Sequence, residues 1–353
     1  EAGFDKPAGY SRGPRDFERL CETEDLDLVF NATPWEWHVP ISVAAMRNGK
    51  HAATEVPAAV TLEECWELVE TAEKNKKHCI MMENCCYDRP EMLCLNLVKK
   101  GLLGEIIHAE AGYLHDLRDV KFSGVGESLW RPQHSVKRDG NLYPTHGLGP
   151  VSQCLDINRG DYYETLVSMS TKSLGLNLYC ATKFGPDSPQ ARQRYKLGDV
   201  NVSLIRTFNG ATITLYHDTS SPRPYSRKHV VQGTAGIFER WPERVYIEGR
   251  SPQPHRWETL DAYEEHNHPL WQTVGDRSEG EGHGGMDYLE DYRLIECLRR
   301  GAPLDMDVYD AAAWSAVAEL SERSVAGKGR PVKFPDFTRG GWRRRRELQV
   351  MKV

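Results

Sequence analysis

The sequence predicts an α/β half followed by an α+β half: an incomplete doubly wound parallel sheet, then a large, mostly antiparallel sheet flanked by helices. Three observations carry this. Strand-like and helix-like stretches alternate three times between residues 26 and 100, as expected of parallel strands joined by crossover helices. After Gly104, runs at 106–113, 165–171, 200–208, 211–217, 228–232 and 244–248 read as strands without helices of their own between them, so they are expected to pair antiparallel. Asn209-Gly210 separates two of these runs and is a strong hairpin turn. The chain of 353 residues exceeds one core, and the change of pattern divides it into 1–104 and 105–353.

Taken in order, 15–21 is a charged helical pattern, and 26–33 is an apolar run closed by Pro34, a buried parallel strand. A helix spans 38–48 and stops at Gly49. Strand 51–56 ends at Pro57. Thr61 with Glu64 forms a capping box for a helix running to about residue 76. Residues 79–83 are a third strand, and 90–100 a third helix ended by Gly101. Helices return at 286–300 and 308–326.

A net charge of -6, 39% hydrophobic and 27% charged residues describe a folded chain with no general attraction to nucleic acid or anionic membrane. No apolar run is long enough to span a bilayer. The run 343–346 is basic but local, and is expected to be a solvated tail. Nine cysteines, without C-x-x-C spacing, read as reduced, buried small hydrophobes. His266 and His268 lack a third ligand nearby, so no metal site is expected. Glu1 is not an initiator Met and no signal peptide is visible; the sequence assigns no compartment, exported or cytoplasmic.

The stretch Asn141-Leu142-Tyr143-Pro144-Thr145-His146-Gly147-Leu148-Gly149-Pro150 places a phenol and an imidazole one helical turn apart. Pro144 suits a first turn, and Val151, Cys154, Leu155 and Ile157 form an apolar stripe that anchors the far side. Tyr143 and His146 are then expected at the exposed mouth of a fixed helix, a mount suited to proton transfer. On spacing alone, a helix start with a core histidine is the simpler reading. The strand ends add weight. In doubly wound sheets ligands bind beyond the carboxyl ends of the strands. Here those ends carry Trp35, Glu36, Trp37 and His38, then Glu55 and Val56, then Glu83 and Asn84.

A dinucleotide-binding sheet opens with a strand and G-x-G-x-x-G. Neither Gly124-x-Gly126 nor Gly280-x-Gly282 follows a strand. The first half of a nucleotide-binding domain is therefore expected to be absent from these residues. Without that loop's amides to hold a pyrophosphate, residues 1–353 are expected to bind NAD weakly. The outer strand 26–33 is expected to show an apolar edge.

With these residues laid out, the chain resembles the Gfo/Idh/MocA oxidoreductases. More closely it resembles their branch of NAD-dependent glycosidases, family 109 of the glycoside hydrolases, whose known activity is α-N-acetylgalactosaminidase. Several motifs together carry the likeness: 31–38, 55–59, 82–84, Gly112-Tyr113-Leu114-His115-Asp116-Leu117-Arg118, 143–150, Pro222-Arg223-Pro224-Tyr225-Ser226 and His283-Gly284-Gly285-Met286-Asp287. The resemblance implies a partial Rossmann domain over 1–104 and a substrate-binding domain over 105–353. It implies NAD as cofactor, lined by Trp35, Glu36, Trp37, His38, Glu55, Val56 and Asn84. It implies a small glycoside as substrate, met by Tyr113, Arg131, Tyr143, Pro144, Thr145, His146, Tyr225 and also Glu83. Related sugar dehydrogenases carry Glu-Lys-Pro where this chain has Glu55-Val56-Pro57, which points to the glycosidase branch.

The chemistry so implied differs from the usual carboxylate pair. NAD+ oxidises C3, the C2 proton becomes acidic, the C1 substituent leaves, water adds, and the hydride returns. His146 is the expected base, because imidazole changes charge near neutral pH. Tyr113 and Tyr143 are its phenolic partners, and Arg131 holds a hydroxyl or the enolate oxygen. Two other readings stand: an NAD(P)-dependent sugar or polyol dehydrogenase, and an inactive fragment lacking the Gly-rich loop. Self-association through the open edge or the outer face of the antiparallel sheet is a further expectation.

Overall fold

The structure, a computed structural model, describes residues 6–344 and 346–352. Its first layer runs α1 (Phe17–Thr23), β1 (Leu28–Asn31), α2 (His38–Arg47), β2 (His51–Thr54), α3 (Leu62–Asn75), β3 (Cys79–Met81) and α4 (Arg89–Lys99). The three strands pair in parallel in the order β1-β2-β3. Thr61 accepts from the Glu64 N–H while the Glu64 carboxylate accepts from the Thr61 N–H, the capping box expected from the sequence. β1 is the outer strand, and Phe30 on it is 47% exposed.

The chain continues through β4 (Ile106–Leu114), α5 (Arg118–Lys121), α6 (Arg131–Lys137), α7 (Thr145–Cys154), β5 (Tyr163–Ser170), α8 (Gly175–Phe184) and α9 (Pro189–Arg192). Then come β6 (Asn201–Thr207), β7 (Thr212–Asp218), β8 (Val230–Gly233), β9 (Gly236–Glu239), β10 (Arg244–Ile247) and α10 (Pro269–Val274). It closes with α11 (Met286–Arg300), α12 (Val308–Ser315), α13 (Val317–Ala326) and β11 (Val332–Lys333). Eight strands form one sheet in the order β10-β9-β8-β4-β7-β6-β5-β11. Only β4 with β7 is parallel; every other neighbouring pair in this sheet is antiparallel. Asn209-Gly210 makes the turn between β6 and β7, with Gly210 at φ 98°, a backbone state that glycine adopts freely.

Some expectations fail. α8 and α9 do lie between β5 and β6. Leu174, Leu176, Leu178 and Cys180 alternate at period two and imitate a strand. The segment is helical, burying only Leu176 and Cys180, four residues apart on one face. The helix expected over 308–326 is interrupted at Ala316. The basic run is no free tail. Trp342 is buried, Arg343 lies over its ring, and Arg346 sits 3.7 Å from Asp307; Arg345 lies outside the described residues. The nine cysteines are all unpaired and buried, as expected.

Two contacts fix the helix and strands that carry the predicted site residues. α7 packs on β4 through two glycines: a Cβ on Gly147 would stand 2.2 Å from the Gly112 nitrogen. Such an approach admits no side chain. Two residues on, a Cβ at Gly149 would come within 3.0 Å of Glu83 Cγ and the Trp314 ring. The apolar stripe Val151, Cys154, Leu155 and Ile157 is buried as expected. α12 returns to the first layer, packing on α3 and β3, with the Ala58 N–H donating to Ser315 Oγ at 3.1 Å.

Candidate active site

Those glycine contacts bring His146, at the start of α7, beside Tyr113 on β4 and against Glu83 after β3. His146 Nδ1 lies 2.6 Å from Glu83 Oε1. Glu83 is 0% exposed. Burial by itself would raise its carboxyl, but the adjoining His146 charge and hydrogen bond, together with hydrogen bonds from Thr145 and Cys85, outweigh that and hold it below the usual carboxylate range. An ionised carboxylate accepts only, so Nδ1 carries the proton of this contact in either charge state, and in the neutral ring Nε2 is the proton-accepting nitrogen.

His146 lines a cavity of about 410 Å³ together with Tyr113, Tyr143, Arg131 and Tyr225 on one side and Glu55, Val56 and Asn84 on the other. The second group stands at the carboxyl ends of β2 and β3. Eight of the sequence-predicted residues thus share one space. A roomier groove of about 560 Å³ runs along the outer face of α11 beside Tyr288 and Tyr292. It gathers none of the predicted groups, so the smaller space is the candidate site.

The other predicted residues lie behind or away from the wall. Trp35 is buried and stacks on Tyr143 at 5.6 Å, while the Arg131 guanidinium lies 5.1 Å from the Trp35 ring and 4.9 Å from the Tyr143 ring. Arg131 also pairs with Glu127. Glu36 faces solvent. Trp37 packs edge-on against Phe17 at 5.9 Å. His38 is buried, with each ring nitrogen 2.7 Å from a main-chain carbonyl, Pro57 and Thr33. Pro144 and Thr145 are buried in the first turn of α7. Glu83, expected at the sugar, is instead sealed beneath His146. Tyr143 is 9% exposed, so the phenol is not at an exposed mouth; Trp35, Tyr113 and Arg131 enclose it.

The phenols are strongly shielded. Burial, opposed by Arg131, pushes Tyr113 up to about 12, and burial raises Tyr143 well above its ordinary value. Glu55 is raised by burial as well. The Asn84 amide donates to Asp287 Oδ1 at 2.7 Å, which fastens the β3 end to the start of α11.

Several lining residues carry no site role in the sequence reading: His115 and Asp287, which stand within the family motifs, and Cys85 and Glu290, which do not. His115 is legible in principle, because two residues along a strand return to the same face; its Nδ1 lies 2.9 Å from the Tyr113 hydroxyl. Glu290, on α11, is 5% exposed with one carboxyl oxygen lacking a partner, and burial beside Glu83 and Glu55 raises it well above the usual range. Only tertiary packing reveals it. Glu83, Cys85 and His146 present ligand atoms within 4.8 Å of one another. Burial raises the Cys85 thiol well above its ordinary value, so the trio offers a protonated thiol and an imidazole nitrogen already bonded to its carboxylate, a weak donor set for a metal.

Comparison with known proteins places this geometry. Residues 87–344 match the glycosyl hydrolase 109 C-terminal domain, and residues 9–83 match the oxidoreductase family with an NAD-binding Rossmann fold. A glycosyl hydrolase family 109 protein of Solibacter usitatus is 54% identical over 334 residues, covering 94% of this chain and 76% of that protein. An alpha-N-acetylgalactosaminidase of Shewanella oneidensis is 46% identical over 352 residues, covering 98% and 77%. Among solved structures, a levoglucosan dehydrogenase in complex with NADH and L-sorbose superposes with a TM-score of 0.70 at 20% identity, over 92% of this chain and 84% of that one. An inositol dehydrogenase homolog complexed with NAD+ from Azotobacter vinelandii gives 0.65 at 20% identity, over 90% and 81%. The chain is a glycoside hydrolase built on an NAD-binding oxidoreductase fold, and it belongs to glycosyl hydrolase family 109.

Proposed function

We propose that the substrate is an α-N-acetylgalactosaminide and that His146 moves the proton on which its cleavage depends. The observation carrying this is the 2.6 Å contact between His146 Nδ1 and the sealed Glu83 carboxylate. It fixes the tautomer, so that the cavity is offered a base at Nε2. A carboxylate behind an imidazole also stabilises the imidazolium once a proton has been taken.

The cavity suits a nicotinamide cofactor at its strand-end wall. Glu55, Val56 and Asn84 supply polar and main-chain groups there, and Phe30 and Met82 supply apolar surface. NAD+, when bound, supplies reversible hydride removal from a sugar carbon. Trp35, Glu36, Trp37 and His38 keep their assignment to the cofactor side as part of the proposal, acting through the turn after β1, which His38 locks to Pro57 and Thr33. On the sugar side, Tyr113 and Tyr143 present shielded phenols that stay protonated at neutral pH, and Arg131 holds its charge over the Tyr143 ring for a developing enolate oxygen. Pro144 and Thr145 set the first turn that carries His146.

The decisive assay supplies an aryl N-acetyl-α-galactosaminide and catalytic NAD+. Phenol release with no net NADH is the expected result. NADH accumulating in step with oxidised sugar overturns the reading in favour of a dehydrogenase. The division at residue 104 also belongs to the proposal, with α12 crossing back onto the first layer. So does self-association through the outer face of the eight-stranded sheet, where Met169, Val202, Leu204 and Phe208 are exposed.

A further inference from the structure

β4 ends in a short antiparallel contact with the segment before β8. Leu114 and Ser226 exchange both main-chain hydrogen bonds, at 3.0 and 2.9 Å. Side chains one residue to either side of such a pair share the opposite face. Tyr113 and His115 flank Leu114, and Tyr225 and Arg227 flank Ser226, so four functional side chains form one plate. The ring distances agree: His115 to Tyr225 is 4.9 Å and Tyr113 to Tyr225 is 6.2 Å.

Within the plate each phenol has a basic neighbour two residues on. The two pairs differ in kind. Tyr113 meets His115 Nδ1 at 2.9 Å, and a neutral imidazole nitrogen can stand as donor or acceptor. Tyr225 meets Arg227, whose Nη1 donates to the phenol oxygen at 3.0 Å. A guanidinium donates only. That bond therefore occupies the accepting side of the phenol, and its own proton is left to be given elsewhere. Tyr225 lines the cavity, whereas Arg227 is 4% exposed and stands behind it. Arg227 is itself fixed by three more contacts: Nη2 to Asp88 Oδ2 at 2.5 Å, Nε to Glu91 Oε1 at 3.0 Å, and its guanidinium 4.8 Å from the Trp241 ring.

We propose that Arg227 is a positioning residue that makes Tyr225 an obligate hydrogen-bond donor into the cavity, so that the ligand group meeting Tyr225 is an acceptor oxygen, a carbonyl or a hydroxyl, and not an ammonium. This rests on the reading that the cavity takes an N-acetylated sugar. Lysine at 227 keeps a charge beside Asp88 and Glu91, but a point charge cannot reach Asp88, Glu91 and Tyr225 together as the planar fork does.

The test is a cycle of Arg227→Lys, Tyr225→Phe and the double variant, read as kcat/KM on 4-nitrophenyl N-acetyl-α-galactosaminide with NAD+. Each single variant is expected to lose about tenfold, mainly through KM, as for a lost hydrogen bond of this type. The double variant is expected to match Tyr225→Phe within about twofold, because Arg227 acts only through that phenol. Multiplying losses overturn the proposal. A purely structural role lowers the melting midpoint and the activity in both backgrounds alike, and so is distinguished. Asp88→Asn, which slackens the guanidinium without removing it, serves if Arg227→Lys does not fold; its KM effect must also vanish in Tyr225→Phe. Absence of turnover in the unaltered chain refutes the hydrolase reading separately. The same cycle is then read as calorimetric binding of N-acetylgalactosamine, and additive losses there, or no binding by any variant, refute the positioning role.

Discussion

The two walls of the cavity are built by different means. The wall bearing Tyr113, Tyr143 and His146 is clamped: α7 touches β4 backbone to backbone at Gly147 and Gly112, and the groups behind it are sealed. The wall bearing Glu55, Val56 and Asn84 is a row of strand ends, held by single bonds such as Asn84 to Asp287, and it begins at an outer strand with Phe30 exposed. Proton transfer fails when a base shifts by an ångström, whereas a cofactor of many contacts tolerates local play. The difference teaches that backbone-to-backbone packing is concentrated under the proposed proton-transfer group, whereas the proposed cofactor wall is a row of strand ends tied by individual hydrogen bonds.

Substitutions can break or sharpen that contrast. The largest effect is expected at His146: alanine there lowers kcat by about 10²–10⁴-fold and also lowers the melting midpoint, because the buried Glu83 carboxylate loses its partner; the kcat loss measured on protein that calorimetry shows to be folded is the catalytic part. Near-normal turnover removes the imidazole from the mechanism. Next is the clamp itself. Gly147→Ala forces a methyl onto the Gly112 backbone and is expected to cost about 1–3 kcal/mol or more by overpacking, measured by urea unfolding. A neutral result means that the two backbones are free to separate. Glu83→Gln is expected to reduce kcat by less than His146→Ala, because geometry survives and only the tautomer preference is lost.

That variant also carries a pH signature. The folded Glu83 carboxyl is depressed, because His146, Thr145 and Cys85 together outweigh burial. Its stabilisation is therefore fully present above the unfolded value of 4.5 and lost as pH falls through the lower folded value. Glu83→Gln should flatten that acid limb, and an unchanged acid transition argues that the pair is not ionised. The smallest effect is on the other wall: Asn84→Ala is expected to weaken NAD+ binding about fivefold, the worth of one ordinary hydrogen bond, with kcat unchanged. A kcat loss as large as that of His146→Ala makes both walls equally exacting and ends the contrast.

The legibility of the molecule follows the same line. Local rules find the capping box at Thr61, the Asn209-Gly210 hairpin, the three crossover units and the anchored stripe of α7, because each lies within a few neighbouring residues. The helix at 175–184 goes unread because its apolar spacing suits a strand although its burial is helical. Tyr143 and His146 stand out as a pair three residues apart, and the motifs supply Tyr113, Arg131 and Tyr225. The part played by Glu83 is not legible, since it acts on a histidine 63 residues further along the chain. Glu290 and Arg227 belong to the same class: nothing beside them in the chain announces what they face. Trp35 to His38 illustrate the opposite limit, where a dense polar and aromatic motif marks a turn that supports the cavity from behind.

The sealed thiols give the molecule an internal reporter. A reagent that modifies only accessible sulfur will read how often the core opens, since all nine cysteines are enclosed in the resting fold. Cys85 differs from the rest in bordering the cavity alongside His146 and Tyr225. Its labelling rate should fall when ligand fills that space while the others follow global unfolding, so one chemical trace separates breathing at the mouth from melting of the whole.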